Sequence, residues 1–150
     1  MIPKAAESLG HLAQRIAMDL IPKAPDEYAA TDMGFITFLI SMAAQDLERF
    51  ADVHVREDLI TAAIFRAVRP HLSDVGLQSR IDEALGSHAA SLRASDLNAR
   101  ADLTTRLLID LHAAVETAMD RDEAWAKTLN DQIWTFLDGY AERRAYDVPF

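Results

Sequence analysis

TDMGFITFLISMAAQDLERFADVHVREDLITAAIFRAVR, residues 31–69, is the stretch whose reading decides the fold. After Gly34 it holds neither glycine nor proline until Pro70. Phe35, Ile36, Phe38, Leu39, Ile40, Met42 and Ala43 cover most of a helix's circumference, and so do Leu59, Ile60, Ile64, Phe65 and Val68. A helix that is apolar nearly all round is buried on most sides. The stretch therefore reads as two central helices. One starts near Thr31, with Thr31 or Asp32 as N-cap, and runs to about Ala51. The next covers about Val55 to Val68, because Pro70 disfavours helix at Arg69. Nothing breaks the backbone between them, so a single kinked rod is the alternative.

Four further helices are read around this centre. Alanine (26) and leucine (17) outnumber valine, isoleucine and threonine together (24), a balance that favours helix. The first helix runs from about Ala5 to Leu20, with Pro3 near its start and Pro22 ending it. An irregular link, Ile21 to Ala30, follows. No proline lies between His71 and Val148, so the second half is open to long helices. One is read over Asp74–Leu85, capped by Ser73 and stopped by Gly86 in a left-handed conformation. A long one covers about Ala90–Met119, with a restart at Ser95–Asp96 as the alternative, and the last, Glu123–Ala145, starts from a capping-box pattern at Asp120 and Glu123. The expectation is an all-α, single-domain bundle of about six helices spanning 1–150. The helices near 31–69 are central, surrounded by those near 5–20, 90–119 and 123–145. Its predicted core includes Leu39, Ile64, Leu107, Leu111, Ile133 and Leu137, with Leu103 on the buried stripe of the long helix.

Charge removes partner classes. Asp plus Glu total 24 against 15 Lys plus Arg, a net of −9. Both halves of the chain are acidic and no basic run occurs, so the electrostatic attraction behind nucleic-acid affinity is missing. Anionic membrane surfaces repel such a chain. The most apolar run, Phe35–Ala44, is about half the length a spanning helix needs. The N-terminal MIPKAAESLG lacks a signal peptide's apolar core. A cytoplasmic location is therefore the expectation. No cysteine is present, which excludes thiol catalysis, disulfides and Cys-ligated metals. Arginine exceeds lysine 12 to 3, which reads as the base composition of a GC-rich bacterial genome.

Two pairs carry candidate chemistry. His54 and Asp58 are four residues apart, and so are His112 and Glu116. Residues at i and i+4 share a helix face. Two helices each presenting a histidine and a carboxylate have the donor set for a divalent transition metal. The competing reading is histidines at the core edge with carboxylate neighbours. The acidic run Asp46, Glu48, Asp52, Glu57 and Asp58 is interleaved with Arg49 and Arg56 and reads mainly as ion pairing along the helix, as in Asp52–Arg56. A polar cluster inside the bundle is its alternative. The aromatics, among them Phe136 and Tyr140, read as core, with an apolar ligand pocket as the other use. Trp134 falls off the main stripe of the last helix.

No nucleophile elbow, phosphate loop or dinucleotide glycine pattern appears. The leading expectation is a non-catalytic accessory or interaction domain, self-associating as a homodimer, with a protein partner or a small apolar ligand and no cofactor. The alternative is a metal–carboxylate bundle with hydrolytic or redox activity through His54, Asp58, His112 and Glu116.

Overall fold

The computed structural model describes residues 4–147, so Pro3 lies outside the described residues. About 85% of these residues are helical, with no strand among them. Five α-helices carry the chain: α1 (Ala5–Arg15), α2 (Glu27–Val68), α3 (Val75–Gly86), α4 (Ala94–Met119) and α5 (Ala124–Arg144). The all-α expectation holds with one helix fewer, because residues 31–51 and 55–68 belong to the single helix α2.

Several helix ends differ from their sequence reading. α1 stops at Arg15 and continues as a π turn, Ile16–Leu20, and a 3-10 turn, Ile21–Lys23, which holds Pro22. α2 begins four residues before Thr31. Asp26 caps it, accepting from Ala29 N at 2.8 Å, while the Thr31 hydroxyl donates back to Glu27 O. Asp74, not Ser73, caps α3, accepting from Gly76 N and Leu77 N at 2.8 and 3.1 Å. Gly86 does not adopt a left-handed conformation, and Ser87 leaves α3 in extended backbone. The capping box at Asp120 does not form. Asp120 closes α4 instead, and the Glu123 carboxylate accepts from Arg121 Nε and Trp125 Nε1.

The turn from α4 to α5 is built without glycine. Asp122 takes φ 56°, and Glu123 N donates to Ala118 O while Asp122 N donates to Met119 O. This pair of bonds closes the helix as a Schellman motif does. Aspartate is among the few side chains that tolerate this left-handed backbone.

The described chain packs as two compact units, one of residues 4–50 with 146–147, the other of residues 51–145. α2 runs from the first into the second. In the first unit only Ala13 and Thr37 are buried among the described residues. The C-terminal segment is clasped to α2 there. Tyr146 OH donates to Asp46 Oδ2 at 2.9 Å, and Gln45 exchanges two 2.9 Å hydrogen bonds with the Asp147 backbone. Arg49 lies 4.5 Å over the Tyr146 ring.

The second unit holds the main core. Phe65, Ile81, Leu111, Val115 and Ile133 are wholly or almost wholly buried, with Ile64 and Leu107 beside them. Two members of the predicted core are corrected. Leu39 is 46% exposed and Leu137 39%, and Leu103 faces outward as well. Helical periodicity places side chains on one face but does not supply the neighbour that covers it. Only the second half of α2 is therefore central. Arg69 from the 3-10 turn after α2 makes a two-bond fork to Asp82 on α3, at 2.8 and 2.9 Å. That fork holds the Asp82 carboxyl below the usual carboxylate range.

Candidate functional site

The second unit contains a cavity of about 350 Å³. α2 contributes His54, Glu57, Asp58 and Thr61 to its wall, α4 contributes Leu97, Arg100, Ala101 and Thr104, and α5 contributes Phe136, Tyr140 and Arg144. The segment between α3 and α4 closes one side with His88, Ala89, Ser91 and Leu92. This segment is kept in place by local bonds. Ser91 donates to Asp96 Oδ2 at 2.6 Å, and Arg93 N donates to Ser91 Oγ at 3.1 Å.

Arg100 organises the polar wall. Its side chain is only 8% exposed and reaches three elements at once. Nε donates to Asp58 Oδ1 at 2.6 Å on α2, one terminal nitrogen to Ala84 O at 2.8 Å on α3, and the other to Ser87 Oγ at 3.0 Å. A buried guanidinium is tolerable only with a carboxylate partner and filled hydrogen bonds, and Arg100 has both. Thr104, one turn on, returns its hydroxyl to Arg100 O, so its methyl group is what it offers the cavity.

A second charged knot closes the far side. Glu57, on the next residue of α2, accepts from Arg143 Nε at 3.0 Å and from Arg144. Arg144 also lies 3.8 Å over the Tyr140 ring, and Arg143 lies 5.2 Å over Phe136 and donates to the Phe136 carbonyl. Gly139 leaves the space in which Arg143 folds back along α5, since a β-carbon there collides with its guanidinium. No buried side-chain nitrogen or oxygen lacks a partner among the described residues.

The sequence-derived candidates divide between two places. His54 and Asp58 share the α2 wall of the cavity, with Asp58 committed to Arg100. His112 and Glu116 lie on α4 away from it. There His112 Nε2 is 3.0 Å from Asn130 Oδ1 and 3.8 Å from Glu116, and its ring meets Trp134 edge-on at 5.6 Å. The two pairs do not converge. No three His, Asp or Glu side chains among the described residues are grouped as a metal centre requires. Glu57 and Asp58 are also corrected in role, since they pair with arginines of α4 and α5 rather than along their own helix.

Sequence reasoning missed Arg100, Arg143 and Arg144. For Arg100 a signal existed. It falls on the stripe Leu97, Thr104, Leu107, Leu111 at helical spacing, where a charged residue marks a buried pair. Phe136 and Tyr140 read from sequence as core, with a pocket as the other use; Phe136 is buried, Tyr140 is 41% exposed, and both line the cavity. No helix among the described residues is long and apolar enough to cross a membrane. Compared with family models, curated proteins and solved structures, the chain matches none.

Proposed function

We propose that this chain is a non-catalytic helical module that takes a small, largely apolar molecule into the cavity of its second unit. The observation that carries this reading is the cavity's composition: its two carboxylates are answered by arginines, and beside the polar side chains of His54, His88, Ser91 and three threonines most of the wall is apolar, built by Val55, Leu59, Leu92, Leu97 and Phe136. Asp58 is held by Arg100, and Glu57 by two guanidiniums. Both acids are thus already bonded to guanidiniums rather than presented unpaired to a ligand. Leu59, Leu97, Ala101 and Phe136 offer a ligand apolar contact instead. The volume lies at the small end of the range for ligand pockets, roughly 300–1,000 Å³. The cytoplasm is the compartment this reading assumes.

Titration of the full chain with the neutral fluorophore N-phenyl-1-naphthylamine tests it. The expected result is a saturable fluorescence rise with one site per chain. Ala101→Trp grows a side chain from the α4 wall into the cavity and should weaken binding at least tenfold while the helical circular dichroism stays unchanged. Absence of saturable binding, or equal binding by the Ala101→Trp variant, overturns the proposal.

A further inference from the structure

We infer that the first half of α2 is the interface for a second copy of this chain. Tyr28, Phe35, Ile36, Leu39 and Leu47 are each between 46% and 82% exposed. At 100° per residue they fall within one arc of about 120°, and Ala43, also exposed, lies inside it. The result is a ridge running some 28 Å along the helix, apolar except for Asp32 and Asp46, which fall in the same arc. Ala44 and Glu48, which lie on the other side of α2, line a shallow depression together with Ala6 and Glu7 of α1. The ridge therefore points away from α1, the other α-helix among the described residues of its unit.

Two independent observations say what covers it. The first is area. Taking roughly 200 Å² for a fully exposed aromatic or long aliphatic side chain, the five residues present on the order of 600 Å² of apolar surface. A standard interface takes about 800 Å² from each partner, of which rather more than half is apolar. The five side chains together supply that share, at the upper end of the largest apolar patch a typical monomer exposes, where such patches are often functional.

The second observation is the missing core. Among the described residues of the first unit, only Ala13 and Thr37 are buried. A unit of about fifty residues needs disulfides, a metal or oligomerisation when its core is this small. The chain has no cysteine, and no metal-type cluster occurs among the described residues. Oligomerisation is what remains. A single helical ridge meets itself across a two-fold axis with no second surface required, and two-fold dimers are the commonest assembly. Two copies pairing through α2, each with its α1 behind, complete a four-helix core of the usual kind.

Light scattering on the full chain reads this directly. We expect twice the 16.7 kDa chain mass at 50 μM. The double variant Phe35→Asp, Leu39→Lys alters only exposed side chains and should halve the measured mass with helicity retained. If that variant loses helicity, the Cys-free sequence allows a cross-linking test. Leu39→Cys on the ridge should oxidise to a covalent dimer, whereas Glu48→Cys, on the opposite side, should not. A monomeric mass at 50 μM overturns the inference, since the ridge then belongs to another partner. A folded double variant that stays dimeric, or Glu48→Cys cross-linking as fast as Leu39→Cys, overturns it equally. The ligand reading is untouched by either outcome, because the ridge contains none of the cavity's residues.

Discussion

Arg100 Nε stands 2.6 Å from Asp58 Oδ1, tying α4 to α2 across 42 positions of sequence. Removing one partner from such a pair leaves the other as an uncompensated charge with little access to water. Arg100→Met should destabilise the second unit by about 3 kcal/mol, the low end of the range for buried pairs, because Asp58 keeps about a fifth of its side chain exposed. Urea unfolding followed by circular dichroism measures it. Adding Asp58→Leu should restore more than half of the loss, since replacing both partners removes the stranded charge. A double variant less stable than Arg100→Met alone contradicts this account.

Core truncations should separate the two halves of α2. Ile64→Ala, Leu111→Ala and Ile133→Ala each remove a side chain at most 3% exposed and should cost about 2–5 kcal/mol. Leu39→Ala, measured at a concentration where the chain is monomeric, should cost under about 1 kcal/mol, because its side chain is already half in water. Equal losses at Leu39 and Ile64 under those conditions would show that the first half of α2 is covered within a single chain.

Alkaline pH should loosen the C-terminal clasp. The Tyr146 phenol is pushed above its ordinary value of 10, chiefly because its O–H donates to Asp46. The folded value is raised, so the contribution to stability is complete below about pH 10 and is lost as pH rises through the raised value. Absorbance titration at 295 nm should show a late tyrosine step that disappears in Tyr146→Phe and moves down toward 10 in Asp46→Ala. A profile identical in all three proteins rules the clasp bond out.

How far the sequence foretold this molecule depends on what kind of information each feature requires. The helical class was legible because Ala and Leu, the proline positions and the 3.6-residue period act locally. Ile64, Leu107, Leu111 and Ile133 were legible as core because each sits in the middle of an apolar stripe. Leu39 shares that pattern, yet burial depends on a neighbour, and no described element covers it, so it is 46% exposed. The cap positions slipped by one to five residues because Asp26 and Asp74 compete with Thr31 and Ser73 for similar bonds. The cavity was half legible. His54 and Asp58 share a face by spacing, but Arg100 lies 42 residues from Asp58, and no local rule joins them.

The clasp of Tyr146 and Asp147 onto Gln45 and Asp46 sets an order of events in the chain's biosynthesis. Its hydrogen bonds join positions 100 to 102 residues apart. At roughly 5–20 residues per second, α1 and the start of α2 leave the ribosome about 5–20 s before their C-terminal partner is translated. During that interval the apolar ridge of α2 is already outside the exit tunnel, while the unit that carries it is still incomplete. The last unit to close is thus the first to be made, and a contact of such high sequence separation forms late in folding. A nascent chain stalled before residue 146 therefore displays the exposed side chains of α2 without the clasp that joins Gln45 and Asp46 to Tyr146 and Asp147.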